Sequence, residues 1–589
     1  MRYGGVLRRA AGVWDRVLAA LERLDWDEGG VLMVFGALIG VAGGLSVVGF
    51  YRLIDLCYAV FVVWPESFGT FRSPIYFPVL TAAGVWAAWA LVRRTHTVDG
   101  QNVPDVQLAV AKRGGRIYGR PVAVRTIASA MTLGAGGSAG SEGPVAVLGA
   151  TLGSAIGRHL RFQPRQIKVL VGCGAAAGIA AAFNAPFAGA FFALEEVLGS
   201  FSVGAFSPVV IASVVGALTV RPFLGVHPAF RIPSAGDVHP IASALLYPLL
   251  GIACGLVSAL YSRLYLGAPA FFERLPGPRW LRPVAGGALT GVIVAASGGL
   301  LTGNGHLAIP ARVFGGLAWY ALLALAFAKI LATVLTLGSG GSGGVFTPTL
   351  FVGAALGGGL GVLGEMVVPG EVIHAHAWAL VGMAGLVAGA TRAPLTAIFM
   401  VFEMTDDYSY VVPLMIVAVI AYATARRYAP HGLYDGWLAG RGEQLSHGAD
   451  RALMEKIRVR EALDPDAVQV PPNARLNELI EAAGRTRRGV LPVVEADGCL
   501  VGLVSHHALR EAIVAQGDLA PLLIAADLAE EQEPLHPEQS LRAALAAMNA
   551  RSVDALPVVE AREEGPLFVG LLSRADVLVA YEREFAHEV

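Results

Sequence analysis

Gly134-Ala135-Gly136-Gly137-Ser138-Ala139-Gly140-Ser141-Glu142-Gly143-Pro144 interrupts an apolar run that otherwise extends from 121 to 156. Backbone inside a bilayer has no water to bond, so a break at that depth persists only where it faces protein or a wet cavity. The stretch therefore marks the interior of a membrane protein, with one carboxylate, Glu142, at the start of the next helix. Two further breaks have the same character. Gly338–Gly344 leads into Val345-Phe346-Thr347-Pro348, and Gly100-Gln101-Asn102-Val103-Pro104 opens another helical stretch.

Around these breaks, apolar runs fill 31–50, 76–92, 121–156, 168–199, 206–225, 241–262, 281–301, 316–337, 347–368, 377–402 and 410–425. Several reach the roughly 20 residues that one helix needs to cross hydrocarbon. The 589 residues are 55% hydrophobic and 15% charged, against roughly 45–50% and about 25% in soluble domains. A net charge of −1 gives no reason to expect nucleic acid as a partner. The expected partners are the lipid bilayer and whatever crosses it.

An anion crossing hydrocarbon needs positive potential without a full charge that would trap it. Helix N-termini supply this, since each presents free N–H groups and about half a positive charge. Three Gly-rich breaks, each followed by a helix start, are the pattern such a site requires.

The apolar part repeats itself. Ala185-Pro186-Phe187 and Ala393-Pro394-Leu395 lie 208 positions apart (186 and 394), and at that offset Phe191 falls on Phe399 and Glu195 on Glu403. Repeated halves with interrupted helices in matching places characterise transporters whose substrate sits near mid-membrane. After about Gly436 the composition turns charged, and short β-like runs such as Val490–Val494 alternate with helical stretches. There Leu491-Pro492-Val493-Val494-Glu495 recurs as Leu556-Pro557-Val558-Val559-Glu560, and each copy continues to Val-Gly-Leu-x-Ser (501–505 and 569–573).

On these motifs the chain resembles, over about 28–445, the CLC family of chloride channels and proton/chloride exchangers. Gly140-Ser141-Glu142-Gly143-Pro144 is similar to the family's G-[RK]-E-G-P, and Gly344-Val345-Phe346-Thr347-Pro348 to its G-x-F-x-P. Phe183-Asn184-Ala185-Pro186 with Glu195-Glu196, Phe402-Glu403-Met404-Thr405, and Tyr434 in the run His431–Asp435 add to the likeness. The resemblance implies an all-α polytopic fold with inverted internal repeats and broken helices, assembled as a homodimer with a pathway in each subunit. It implies proton-coupled chloride exchange, with a passive chloride channel as the alternative. Glu142 then matches the gating glutamate, a tethered competitor for the anion that protonation releases. Glu196 aligns with the internal proton glutamate, although Glu195 fits the same Glu-Glu pair. Gln101, Asn102, Gly140, Ser141, Gly143, Val345, Phe346 and Tyr434 fall on the family's anion-binding positions.

Two departures stand out. Chloride-selective members carry G-S-G-x-P in the first motif, where this chain has Gln101 and Asn102, which leaves the preferred anion open. Nitrate is one alternative; fluoride ranks low because the inner-gate tyrosine and the Pro of Glu-Gly-Pro are present. Ser141 replaces the usual Arg or Lys, and the loss of one solvated cation should weaken anion attraction by about 1 kcal/mol or less.

The repeated C-terminal segment, about 457–585, resembles a pair of CBS (cystathionine β-synthase) modules in a cytoplasmic α/β domain. Ser573 and Asp576 match that family's nucleotide-binding pattern, whereas the first copy reads Ser505-His506-His507-Ala508. At most one ordinary site for ATP, ADP or AMP is therefore expected, and no cofactor is required. The expected organisation is an N-terminal cytoplasmic surface helix (1–28), a transport domain (29–445), a linker (446–456) and CBS modules at 457–515 and 516–589. CBS pairs also accompany divalent-cation transporters, but those call for acidic clusters in the spans. Cys57, Cys173, Cys254 and Cys499 are scattered singly, and His374 with His376 is too sparse for a metal site. No nucleophile–base pair or cofactor loop points to an enzyme. Both termini are expected in the cytoplasm, and the Ala/Arg/Gly-rich style suggests a bacterial inner membrane.

Overall fold

The computed structural model of the chain describes residues 28–64, 76–95, 102–225, 245–304, 316–368, 373–405, 407–443, 454–486, 488–515, 522–551, 553–562 and 565–588. Gln101 and the expected surface helix, except its last residue Glu28, lie outside the described residues. The chain divides into two compact units, Met1–Leu445 and Ser446–Val589.

Among the described residues, the regular elements of the first unit are helices. In chain order its helices are α1 (Glu28–Tyr58), α2 (Tyr76–Arg94), α3 (Val103–Lys112), α4 (Gly119–Gly134), α5 (Glu142–His159), α6 (Pro164–Phe183), α7 (Pro186–Phe192) and α8 (Val203–Leu224). They continue as α9 (Tyr247–Arg274), α10 (Leu281–Ala296), α11 (Trp319–Gly338), α12 (Phe346–Val367), α13 (Ala375–Thr391), α14 (Pro394–Thr405), α15 (Val411–Tyr428) and α16 (Leu433–Ala439). Among the described residues, eight helical stretches are long and apolar enough to cross a membrane. The 121–156 run is two helices: the chain leaves α4 through Gly136 at φ +86°, a left-handed conformation that favours glycine. His374 immediately precedes α13 and His376 is its second residue. Among the described residues no three His, Cys, Asp or Glu side chains are grouped to hold a metal.

The sequence repeat reappears as repeated packing. Gly149 and Gly153 of α5 lie against the carbonyls of Gly174 and Leu170 in α6, and Gly353 and Gly357 of α12 lie against those of Gly382 and Trp378 in α13. Side-chain-free positions four apart let each pair of backbones touch, the usual device where lipid offers no hydrophobic drive. The copies are then tied reciprocally. Glu195 accepts from the N–H groups of Leu395 (3.1 Å) and Thr396 (2.7 Å) at the start of α14. Glu403 accepts from those of Phe187 (2.9 Å) and Ala188 (2.8 Å) at the start of α7. Between them Phe191 stacks on Phe399, ring centroids 4.2 Å apart and 6° from parallel. Equivalent residues thus face each other across a local two-fold axis.

The second unit is built from two similar halves. The first holds α17 (Leu476–Arg485), β1 (Val490–Val494), β2 (Leu500–Ser505) and α18 (His506–Ala515). The short α19 (Ala525–Leu528) packs into the core of this first half, and the second half holds α20 (Leu541–Arg551), β3 (Ala555–Glu560), β4 (Leu567–Ser573) and α21 (Arg574–Glu588). β1 pairs antiparallel with β2 (Leu491 opposite Val504), and β3 with β4 (Leu556 opposite Leu572). Each hairpin covers its own core, one around Leu479, Leu491 and Val504, the other around Leu541, Met548 and Leu556. Val494, Leu503, Ala555, Phe568 and Leu571 form a smaller cluster that joins the halves.

Removing a charged acceptor that satisfies buried N–H groups costs on the order of 2 kcal/mol. Glu403→Ala, which orphans two donors at the start of α7, is expected to lower the thermal unfolding midpoint of detergent-purified protein, and Glu403→Gln to lower it less. A midpoint for Glu403→Ala equal to that of the unaltered chain would contradict the reciprocal caps.

Candidate functional site

The breaks that the sequence places far apart meet. Gly140 N–H donates to the Gly344 carbonyl (2.7 Å), and Gly344 N–H to that of Gly140 (2.8 Å), a two-residue antiparallel bridge between the loops before α5 and α12. These two helices of the repeat therefore meet head to head. A Cβ at either glycine would collide with the Glu142 carboxylate, so the carboxylate can sit against the bridge only with hydrogen in both places.

Glu142 is the first residue of α5 and is 1% exposed. Its carboxylate reaches across to the start of α12, accepting from the Phe346 N–H (2.5 Å) and the Thr347 hydroxyl (2.6 Å). The partial positive charge of a second helix end thus holds a tethered anion.

Beside it lies a small cavity of about 20 Å³, lined by Asn102, Val103, Pro104, Gly143, Gly343, Gly344, Val345, Leu433, Tyr434, Trp437 and Tyr265. A single water needs roughly 10–15 Å³ measured this way, so one small ion fills it. The starts of α3, α5 and α12 all contribute, together with Tyr434 from α16. Two ion pairs fasten α3 to the end of α16: Lys112 to Glu443, and Arg441 to Asp105 at 3.7 Å. Its hydrogen bond from Lys112 holds the Glu443 carboxyl below the usual range. At the other end of α3, the Asp105 carboxylate accepts from the Asn102 N–H (3.0 Å) and caps the helix.

Glu195 and Glu196, adjacent on a π-helical turn over Ala193–Val197, point to different partners. Glu195 caps α14. Glu196 is buried, and the Gln107 amide of α3 donates both to its carboxylate (3.0 Å) and to its backbone carbonyl (2.8 Å). Gln107 thus ties Glu196 to α3, the helix whose start lines the cavity.

Four contributors escaped the sequence reading. Tyr265 and Trp437 gave no motif. Gln107 was detectable as a polar residue just over one turn into the helix behind the first break. Lys329 carried the clearest signal, a lysine alone in the apolar run 316–337. It is fully buried, donates to the carbonyls of Leu301 (3.0 Å) and Gly303 (2.8 Å), and lies 5.6 Å from the Phe351 ring. An ionisable side chain inside the membrane is by default functional, and this one is tied to two backbone carbonyls within the domain.

The family model for voltage gated chloride channels matches residues 81–426, and the CBS domain model matches 459–515 and 530–583. The chain belongs to the CLC family. A ClcB-like chloride channel protein of Ralstonia nicotianae is 33% identical over 416 residues, covering 69% of this chain and 96% of that one. The H(+)/Cl(-) exchange transporter ClcA of Yersinia pseudotuberculosis is 31% identical over 428 residues, covering 69% and 87%. A slow cyanobacterial Cl-/H+ antiporter of known crystal structure has the same fold, with a TM-score of 0.62 at 23% identity over 70% of this chain and 97% of its own.

The CLC transport unit is thus followed by a CBS pair. In that pair, Ser573 donates to the Asp576 carboxylate from its N–H (2.9 Å) and hydroxyl (2.6 Å). Arg488, just ahead of β1 in the other half, donates to Asp576 at 2.8 Å and also pairs with Asp464. In the first half the Ser505 hydroxyl caps α18 by accepting from Ala508 N–H (3.0 Å). The position of Asp576 is Ala508 there, so any carboxylate-dependent site is single.

Proposed function

We propose that this CLC protein exchanges chloride for protons across a bacterial inner membrane, as a homodimer with cytoplasmic termini. The observation that carries this reading is the Glu142 carboxylate bound to the Phe346 N–H and the Thr347 hydroxyl, beside a cavity sized for one small ion. A carboxylate and a halide compete for the same donors. Protonation cancels the charge of Glu142 and weakens its hold on the helix end, so an anion takes the seat. One side chain then serves anion and proton in alternation, which is the requirement for exchange. Glu196, buried and oriented by Gln107, is the internal proton donor and acceptor. The ClcA relative, an H(+)/Cl(-) exchange transporter, supports this reading over that of a passive channel.

Anion contacts in this reading come from the backbone at Ser141, Gly143, Val345 and Phe346, from the Tyr434 hydroxyl and from Gln101, whereas the N–H groups of Gly140 and Asn102 are spent on Gly344 and Asp105. An adenine nucleotide at Ser573 and Asp576 regulates transport. For it to bind, Asp576 exchanges Arg488 for a ribose hydroxyl, and the freed guanidinium becomes available to phosphate.

In proteoliposomes, an imposed chloride gradient is expected to drive uphill proton movement. Glu142→Ala should pass chloride without protons, and Glu196→Ala should likewise abolish proton movement while chloride still flows. Chloride flux with no proton movement in the unaltered protein would instead identify a channel. Gln107→Leu removes a donor to a charged group, worth about 1.5–3 kcal/mol, and should slow proton movement roughly tenfold or more with a smaller effect on chloride. Proton movement at the unaltered rate would remove Gln107 from the account. For regulation, calorimetry on the full-length protein should detect ATP, ADP or AMP binding that Asp576→Ala abolishes; no heat with any of the three rejects a nucleotide role.

A further inference from the structure

Away from the anion path, α2 and α10 pack closely and then part. Gly287 of α10 lies against Ala82, and Gly291 against Pro78, so their backbones touch over that stretch. Toward the end of α2 they leave a groove of about 990 Å³, at the upper limit of small-ligand sites. Its floor is apolar, made by alanines of α2 and Val284. Trp86, Trp89 and Trp280 form its walls, and Arg93 and Arg94 stand at its mouth.

The chemistry is graded along the groove. Trp86 and Trp280 are 43% and 50% exposed, and exposed tryptophans on a membrane protein favour the headgroup level. Both arginines are exposed, and neither meets a carboxylate among the described residues. The Arg93 guanidinium lies 5.0 Å over the Trp89 ring, which fixes it without neutralising it. Cations favour a helix C-terminus in any case, but that preference requires neither the tryptophans nor the apolar floor. An acyl chain fits the floor, a glycerol backbone the tryptophan level, and a phosphodiester the two arginines.

We propose that the groove between α2 and α10 is a seat for one anionic phospholipid, its phosphate held by Arg93 and Arg94. The other side of the seat touches the transport machinery. A Cβ at Gly340 would stand 2.7 Å from Trp89 Cδ1, so the ring beneath Arg93 rests on the glycine loop that leads to Val345 and Phe346.

The test is native mass spectrometry of the full-length protein released from nanodiscs of equal parts phosphatidylglycerol and phosphatidylcholine. Two arginines at a headgroup predict about tenfold enrichment of retained phosphatidylglycerol. R93Q/R94Q should retain the two lipids alike, and R93K/R94K, which keeps both charges, should restore most of the preference. Equal retention by the unaltered protein, or an undiminished preference in R93Q/R94Q, overturns the proposal. So does displacement of the retained lipid by millimolar inorganic phosphate, which would make the arginines a site for the free ion.

Discussion

The membrane unit depends on two helix starts being held against each other with a carboxylate between them. Gly140 and Gly344 exchange both of their backbone hydrogen bonds, which brings the electropositive ends of α5 and α12 to one place inside the protein. Two such ends with nothing between them would leave buried N–H groups unsatisfied, at about 1–3 kcal/mol each. Glu142 satisfies the Phe346 N–H from within the same chain. In the proposed exchange, whatever replaces Glu142 in that seat must be small, anionic and largely stripped of water, so the constraint that stabilises the fold would also select the substrate.

The same device recurs away from the anion path. Glu195 and Glu403 each cap the matching helix of the other copy, at α14 and α7. There the carboxylates hold the two repeats together, and adjacent Glu196 is left free to bond Gln107 from the side of α3. Two neighbouring glutamates with identical side chains thus acquire different partners from a single π-helical turn. Its extra residue per turn alters which way each successive side chain points.

Much of this was legible in the sequence because broken backbone in a membrane has few explanations. The glycine-rich stretches at 134–144 and 338–348 located the helix starts, and the offset of 208 located the repeat. The alignment favoured Glu196 over Glu195, but the different partners of the two were not legible, since the π-helical turn that carries them leaves no sequence trace. The direct bridge from Gly140 to Gly344 depends on contacts across some 200 residues and leaves no local trace. Tyr265 and Trp437 line the cavity from helices whose sequences look like ordinary packing. Lys329 is the instructive omission, because a solitary lysine within an apolar span is as informative as a glycine break.

The central claim is that an anion and the Glu142 carboxylate compete for one seat. Bromide-soaked crystals of the unaltered protein and of Glu142→Gln, compared by anomalous diffraction, test it most directly. The account predicts an additional bromide peak in the Gln variant, within reach of the Phe346 N–H where the carboxylate oxygen now lies. The same bromide positions and occupancies in both proteins would contradict it.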